Sequence, residues 1–218
     1  MKADKNTAPG MNARAQMYRF FARLIVLEVD VKLLADMQAM TFPQIQEDTD
    51  FGRGYDLFAK SVRKMNKDNL IDYEVDYARI FLAAGVAQGL AAFPYESVYT
   101  NKKHLMNQEA GEDVTILYAA KGLCARPDMY KIPNDHIGLE FEYMARLCDD
   151  AQKYATEGEQ KLLEQSISEQ KNFCNAHLKC WVPTFCDDVI KYAQTDFYKA
   201  VGMLCRGFIC EEISIMQA

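Results

Sequence analysis

The chain has 218 residues, half of them hydrophobic, with seven cysteines and a formal net charge of −6. That length can bury one full core or at most two small ones. The acidic balance, with no basic stripe to neutralise phosphates, excludes a nucleic-acid partner and makes a basic peptide the electrostatically suitable one.

Residues 1–11 read as a loose tail and 12–218 as a single domain. From Asn12 onward, Met17, Phe20, Phe21, Leu24 and Leu27 recur at three-four spacing and predict a first helix. Arg14, Arg19 and Arg23 stand among them with no cleavable apolar core, so an amphipathic helix is expected here rather than a signal peptide. Asp30 is expected to cap a second helix running to Met40, where Phe42-Pro43 stops it. After a polar loop over 44–50, Tyr55, Phe58, Val62 and Met65 mark a third helix. Asp68 or Asp72 opens a fourth, with Tyr73, Tyr77, Ile80, Phe81 and Ala84 on one face and Gly85 and Gly89 at its end. The most apolar run, from Ile80 to Phe93, is too short to span a bilayer, and no membrane insertion is expected.

Phe93 to Tyr99 reads as a proline-aromatic loop. Val114, Leu117, Tyr118 and Lys121 predict a further helix closed by Gly122. The following linker, 123–132, is a candidate hinge between two halves, through which a mostly monomeric protein could form a domain-swapped dimer. Beyond Pro133, Asn134 or Asp135 is expected to cap a helix whose buried face is Ile137, Phe141, Met144 and Cys148. His136, Glu140 and Tyr143 form a neighbouring stripe, with the histidine expected at the surface. Glu157-Gly158-Glu159 breaks the chain before an amphipathic helix carrying Leu162, Leu163, Ile167 and Phe173. Trp181-Val182-Pro183 is expected to force a turn. Phe185, Val189 and Tyr192 then mark one more helix, and Thr195 or Asp196 caps the last, to about Ile213. Alternating strand patterns and hairpin turns are missing. An all-α domain of eight or nine helices follows.

Catalytic patterns are scarce. Gly52-Arg53-Gly54 lacks the spacing and lysine of a nucleotide loop, and no Gly-x-Ser-x-Gly elbow occurs. An odd number of cysteines, spread from Cys124 to Cys210 with no Cys-x-x-Cys pair, points to free thiols in a reducing cytoplasm. Cys174, His177, Cys180 and Cys186 resemble a metal cluster, but Cys174 and Cys180 would point about 120° apart on a continuous helix. No enzyme activity, metal or cofactor is therefore expected. A helical metal- or cofactor-binding protein built on that cluster, or an adaptor, are the competing readings. What remains is a recognition surface. Tyr77, Ile80 and Phe81 share a helix face, and aromatic anchors beside acidic groups suit an apolar peptide with nearby arginines. Such a stripe more often serves a core.

Three motifs occur in order: Tyr77-Ala78-Arg79-Ile80-Phe81-Leu82, Pro94-Tyr95-Glu96-Ser97-Val98-Tyr99 and Pro133-Asn134-Asp135-His136-Ile137-Gly138. With Trp181-Val182-Pro183-Thr184-Phe185 and Thr195-Asp196-Phe197-Tyr198, they resemble the TorD/DmsD family of cytoplasmic chaperones for molybdenum oxidoreductases. The resemblance covers most of the chain beyond about residue 12. It implies an all-helical fold and binding of the twin-arginine signal peptide on a catalytic subunit, which is held back from export until its molybdopterin is inserted. It places peptide-binding positions at Tyr77, Ile80, Phe81, Pro94, Tyr95, Asp135 and His136, beside Glu96, Ser97 and Glu140. Tyr77 and Tyr95 stand where some relatives carry tryptophan, and Glu96 where some carry glycine, which leaves the peptide preference open. No motif here supports guanine-nucleotide binding.

Overall fold

Several helix ends follow local chemistry in the computed structural model, which describes residues 8–42, 49–102, 109–124 and 132–217. The helices are α1 (Ala8–Val26), α2 (Val31–Gln38), α3 (Asp50–Lys64), α4 (Leu70–Phe81), α5 (Glu96–Thr100), α6 (Glu109–Ala120), α7 (Ile137–Glu157), α8 (Gln160–Phe173), α9 (Lys179–Tyr192) and α10 (Asp196–Gln217). A π turn, Cys174–Leu178, joins α8 to α9 without a break, so the described residues form nine helical bodies and no strand. The all-α class expected from the missing strand signals is the one observed.

Several boundaries match the sequence. Asp30 caps α2 by accepting from Leu33 N–H at 2.7 Å. Gly122 and Gly158 take the left-handed conformation behind α6 and α7, which costs glycine nothing. Thr195 Oγ1 accepts from Tyr198 N–H in the first turn of α10.

Other boundaries differ, each for a physical reason. The first helix begins at Ala8 rather than Asn12, because Met11 is already core. Asn69, not Asp68 or Asp72, stands at the start of α4. The far end of α4 turns at Ala83 (φ 63°), with Ala84 and Gly85 N–H bonding back to Ala78 and Arg79 carbonyls. Gly85 is required there by close approach: a Cβ would stand 2.6 Å from Leu90 O. The proline-aromatic segment is not all loop, since α5 starts at Glu96. Pro183 forces no turn; it lies inside α9. It follows the π turn, which has already loosened the hydrogen-bond ladder that an interior proline disrupts.

The chain forms two compact units. Unit 1 comprises the described residues of 1–23, 95–181 and 212–218. In it Tyr18 meets Phe141 edge-on, and Tyr118, Tyr143, Phe173 and His177 form a chain of rings with centroids 4.8–5.1 Å apart. Buried Arg14 is held by Glu212 and Gln170, and Tyr18 also donates to Glu212. Burial works to lower the Arg14 guanidinium, but the hydrogen-bonded Glu212 carboxylate more than offsets it and the group is raised. Linker residues 123–124 and 132 belong to this unit, while 125–131 of the candidate hinge lie outside the described residues.

Unit 2 comprises the described residues of 24–94 and 182–211. Its centre is aromatic: Phe81 packs against Tyr77, Phe185 and Tyr198, and Phe197 against Phe58, Tyr73 and Tyr198. Buried Asp76 accepts from Gln194 and Thr195 N–H and from Thr195 Oγ1, and pairs with Arg79.

Candidate functional site

The expected site residues fall in both units. In unit 2, Tyr77, Ile80, Phe81 and Pro94 are all buried. Tyr77 donates its hydroxyl to Ile25 O, so this stripe faces the unit's own core. In unit 1, Glu96, Ser97, Asp135, His136 and Glu140 are buried and Tyr95 is half-buried.

The unit 1 residues converge through one crossing of the chain. Tyr95 and His136 form an isolated antiparallel bridge, and their rings lie 5.1 Å apart at 81°. Glu96 N–H donates to Asp135 O. The Asp135 carboxylate accepts from Ser97 N–H and the Ser97 hydroxyl, so it caps α5 across the crossing rather than its own helix. The α7 cap falls instead to His136, whose Nδ1 accepts from Gly138 N–H at 3.0 Å. Asn134 is engaged with α6, donating its amide to Thr115 Oγ1 and accepting from the Tyr118 hydroxyl through its carbonyl. His136 is therefore buried and not a surface histidine. Loss of hydration lowers it to about 3, so the ring is neutral, as an accepting Nδ1 requires.

One turn into α7, fully buried Glu140 accepts from Trp181 Nε1 at 3.3 Å and feels the Glu96 carboxyl nearby. Burial first, then Glu96 and Asp135, raise the Glu140 carboxyl well above its ordinary range. Two buried carboxyls close together cannot both ionise cheaply, and that crowding adds to burial in favouring the protonated form of Glu140. His177 Nδ1 lies 3.0 Å from Glu96 Oε2 and Cys180 Sγ 3.7 Å from Oε1. The π turn supplies His177 to this contact; π turns recur at functional sites, and nothing in the residue spacing reveals one. Cys180 reaches the surface, yet its thiol is pushed up to about 12 by loss of hydration and by Glu96 and Glu140.

Glu96, His177 and Cys180 open onto a cavity of about 300 Å³, whose other wall is Glu109, Ala110 and Asp113 of α6. Its charge is predominantly negative. The sequence offers His177 and Cys180 only as members of a metal-like cluster that helix geometry argues against, and residue spacing gives no sign of their contact with Glu96. Cys174 is instead buried near Arg14 and Glu212, and no group of three or more histidine, cysteine, aspartate or glutamate side chains placed to hold a metal occurs among the described residues. Nor is any described helix long and apolar enough to cross a membrane.

Residues 45–187 match the model of the nitrate reductase delta subunit family, and the chain belongs to that family. Among individual proteins, it is 25% identical over 197 residues to the chaperone protein TorD of Photobacterium profundum, covering 86% of each chain. It is 25% identical over 213 residues to that of Shewanella pealeana, covering 92% of this chain and 88% of the relative. A solved structure assigned as a redox enzyme maturation protein of Archaeoglobus fulgidus aligns over 94% of both chains with 15% identity and a TM-score of 0.48. The resemblance seen in the motifs thus holds over nearly the whole chain, and the relatives are named for chaperone work, not catalysis.

Proposed function

We propose that this protein is a cytoplasmic chaperone that binds the twin-arginine signal peptide and/or the core of a molybdenum oxidoreductase's catalytic subunit. It assists cofactor insertion and delays export until folding is complete. The carrying observation is the acid-lined cavity in unit 1, where buried Glu96 is backed by Glu140 and flanked by His177, with Glu109 and Asp113 opposite. A guanidinium entering it would meet fixed carboxylates in a poorly hydrated setting, where charge-assisted hydrogen bonds are strong. Half-buried Tyr95 offers an aromatic edge for the apolar part of a signal. Tyr77, Ile80 and Phe81 hold unit 2 together, and Asp135 and His136 hold α5 and α7 in place.

The test is a titration of the protein with a labelled signal peptide carrying Arg-Arg and with its Gln-Gln twin. The Arg-Arg peptide should bind more tightly. Glu109→Lys with Asp113→Lys, both exposed, should cost about 1–3 kcal/mol of that affinity while the helix content stays constant. Equal binding of the two peptides to the native protein would remove the cavity as the arginine site.

A further inference from the structure

The face of α4 turned away from the unit 2 core has no role in the site described above. Ile71 and Val75 are each 58% exposed, and Leu82, just past the helix, is 61% exposed. At 100° per residue, Ile71, Val75, Ala78 and Leu82 fall within about 60° of one another, a single apolar stripe. Val86, 48% exposed, follows in the next turn. The end of the stripe is rigidly built. Ala83 holds a left-handed conformation that is uncommon outside glycine, and Gly85 is clamped between the Arg79 and Leu90 carbonyls. Leu82 is thus fixed in the solvent.

Charge defines what can cover this stripe. Asp72 lies about 100° to one side of Ile71 and Glu74 about 60° to the other. Neither carboxylate meets a cation among the described residues, while Arg79, the one base of α4, is taken by Asp76. A second copy of the chain would bring like charges together, and an anionic membrane would be repelled. A helix row is convex, and it accepts the grooves of another helix better than an extended peptide.

We propose that the outer face of α4 docks an amphipathic helix of the client's mature catalytic subunit, one with an apolar stripe edged by lysine or arginine. This rests on the chaperone reading and adds a second contact, separate from the signal-peptide cavity. Two chains test it: the catalytic subunit expressed without its signal, and a synthetic helical peptide with leucines at i, i+4, i+7 and i+11 flanked by lysines. Both should bind the native protein, and Ile71→Asp with Val75→Asp should weaken both at least tenfold. Because those sites are exposed, circular dichroism should be unchanged. Asp72→Lys with Glu74→Lys keeps the apolar stripe and should reverse preference toward a glutamate-flanked twin of the peptide. Signal-peptide affinity should stay the same in both variants, so a protein that binds the helix but no signal peptide would sink the chaperone reading alone. The docking face is overturned if the Asp substitutions leave both affinities unchanged, if the native protein binds the two twins equally, or if the stripe proves to drive self-association in sedimentation.

Discussion

His136 and Glu140 sit one turn apart in the same buried wall and respond to acid in opposite senses. The folded His136 ring accepts a proton only near pH 3, whereas an unfolded histidine does so near 6.5. Its contribution to stability is therefore complete above 6.5 and is lost as pH falls toward 3, by up to about 1.4 kcal/mol per pH unit. Glu140 is raised, so its contribution is complete below the ordinary 4.5 and is lost as pH rises above it. The two slopes oppose each other between about 4.5 and 6.5, and stability should fall on both sides of that window. Denaturant unfolding from pH 3.5 to 9 measures it. Glu140→Gln, which keeps an oxygen to accept from Trp181 but cannot ionise, should flatten the alkaline limb, and His136→Asn, which can still cap α7, the acid limb. A profile unmoved by both substitutions would mean that neither group is buried as described.

At the scale of elements, Asp76 does for unit 2 what Asp135 does for unit 1: a carboxylate on one segment satisfies the free amides of another. Asp76 accepts from Gln194 and Thr195 N–H, both at the entrance to α10. Asp76→Ala would leave those donors and the Arg79 guanidinium without their acceptor, and should lower the unfolding free energy by about 2–4 kcal/mol. Asp76→Asn should recover part of that loss, because an amide oxygen still accepts. Equal melting temperatures for the native and alanine proteins would show that the carboxylate is dispensable. These bonds also mark the limit of what the sequence reveals. Periodicity located nearly every helix, because one apolar face per helix is a local pattern, and Ile137, Phe141, Met144 and Cys148 are indeed all buried. Caps supplied from distant segments leave no local trace, so the sequence offers Asn134 or Asp135 only to the helix that follows them, whereas Asp135 caps α5. The same blindness applies to the π turn and to Pro183, since both depend on where the hydrogen-bond ladder slips. Of the site, Glu96 and Glu140 were legible as acids on the right segments, whereas their contact with His177 arises only through the fold.

For the whole molecule, the open question is whether copies exchange halves through the 123–132 linker. The contacts that an exchange must remake occur in both units: Asp76 with Gln194 and Thr195 in unit 2, and those beside the linker in unit 1. The Tyr118 hydroxyl donates to Asn134 O, Asn134 donates to Thr115, and the Tyr118 and Tyr143 rings stand 5.1 Å apart. In an exchanged dimer each would re-form with the identical group of the partner copy, so the closed and swapped forms hold nearly the same enthalpy. The difference is entropic. Joining two chains is unfavourable at low concentration, while a linker too short to fold back removes the monomeric alternative. The native protein should therefore be mostly monomeric, with a minor dimer that exchanges slowly because the packing of both units must first open. Deleting four linker residues should raise the dimer fraction, and inserting a flexible Gly-Ser segment of similar length should lower it. Both fractions can be read by sedimentation velocity after days of incubation at high concentration. A dimer population indifferent to both changes would show that the linker is not the hinge.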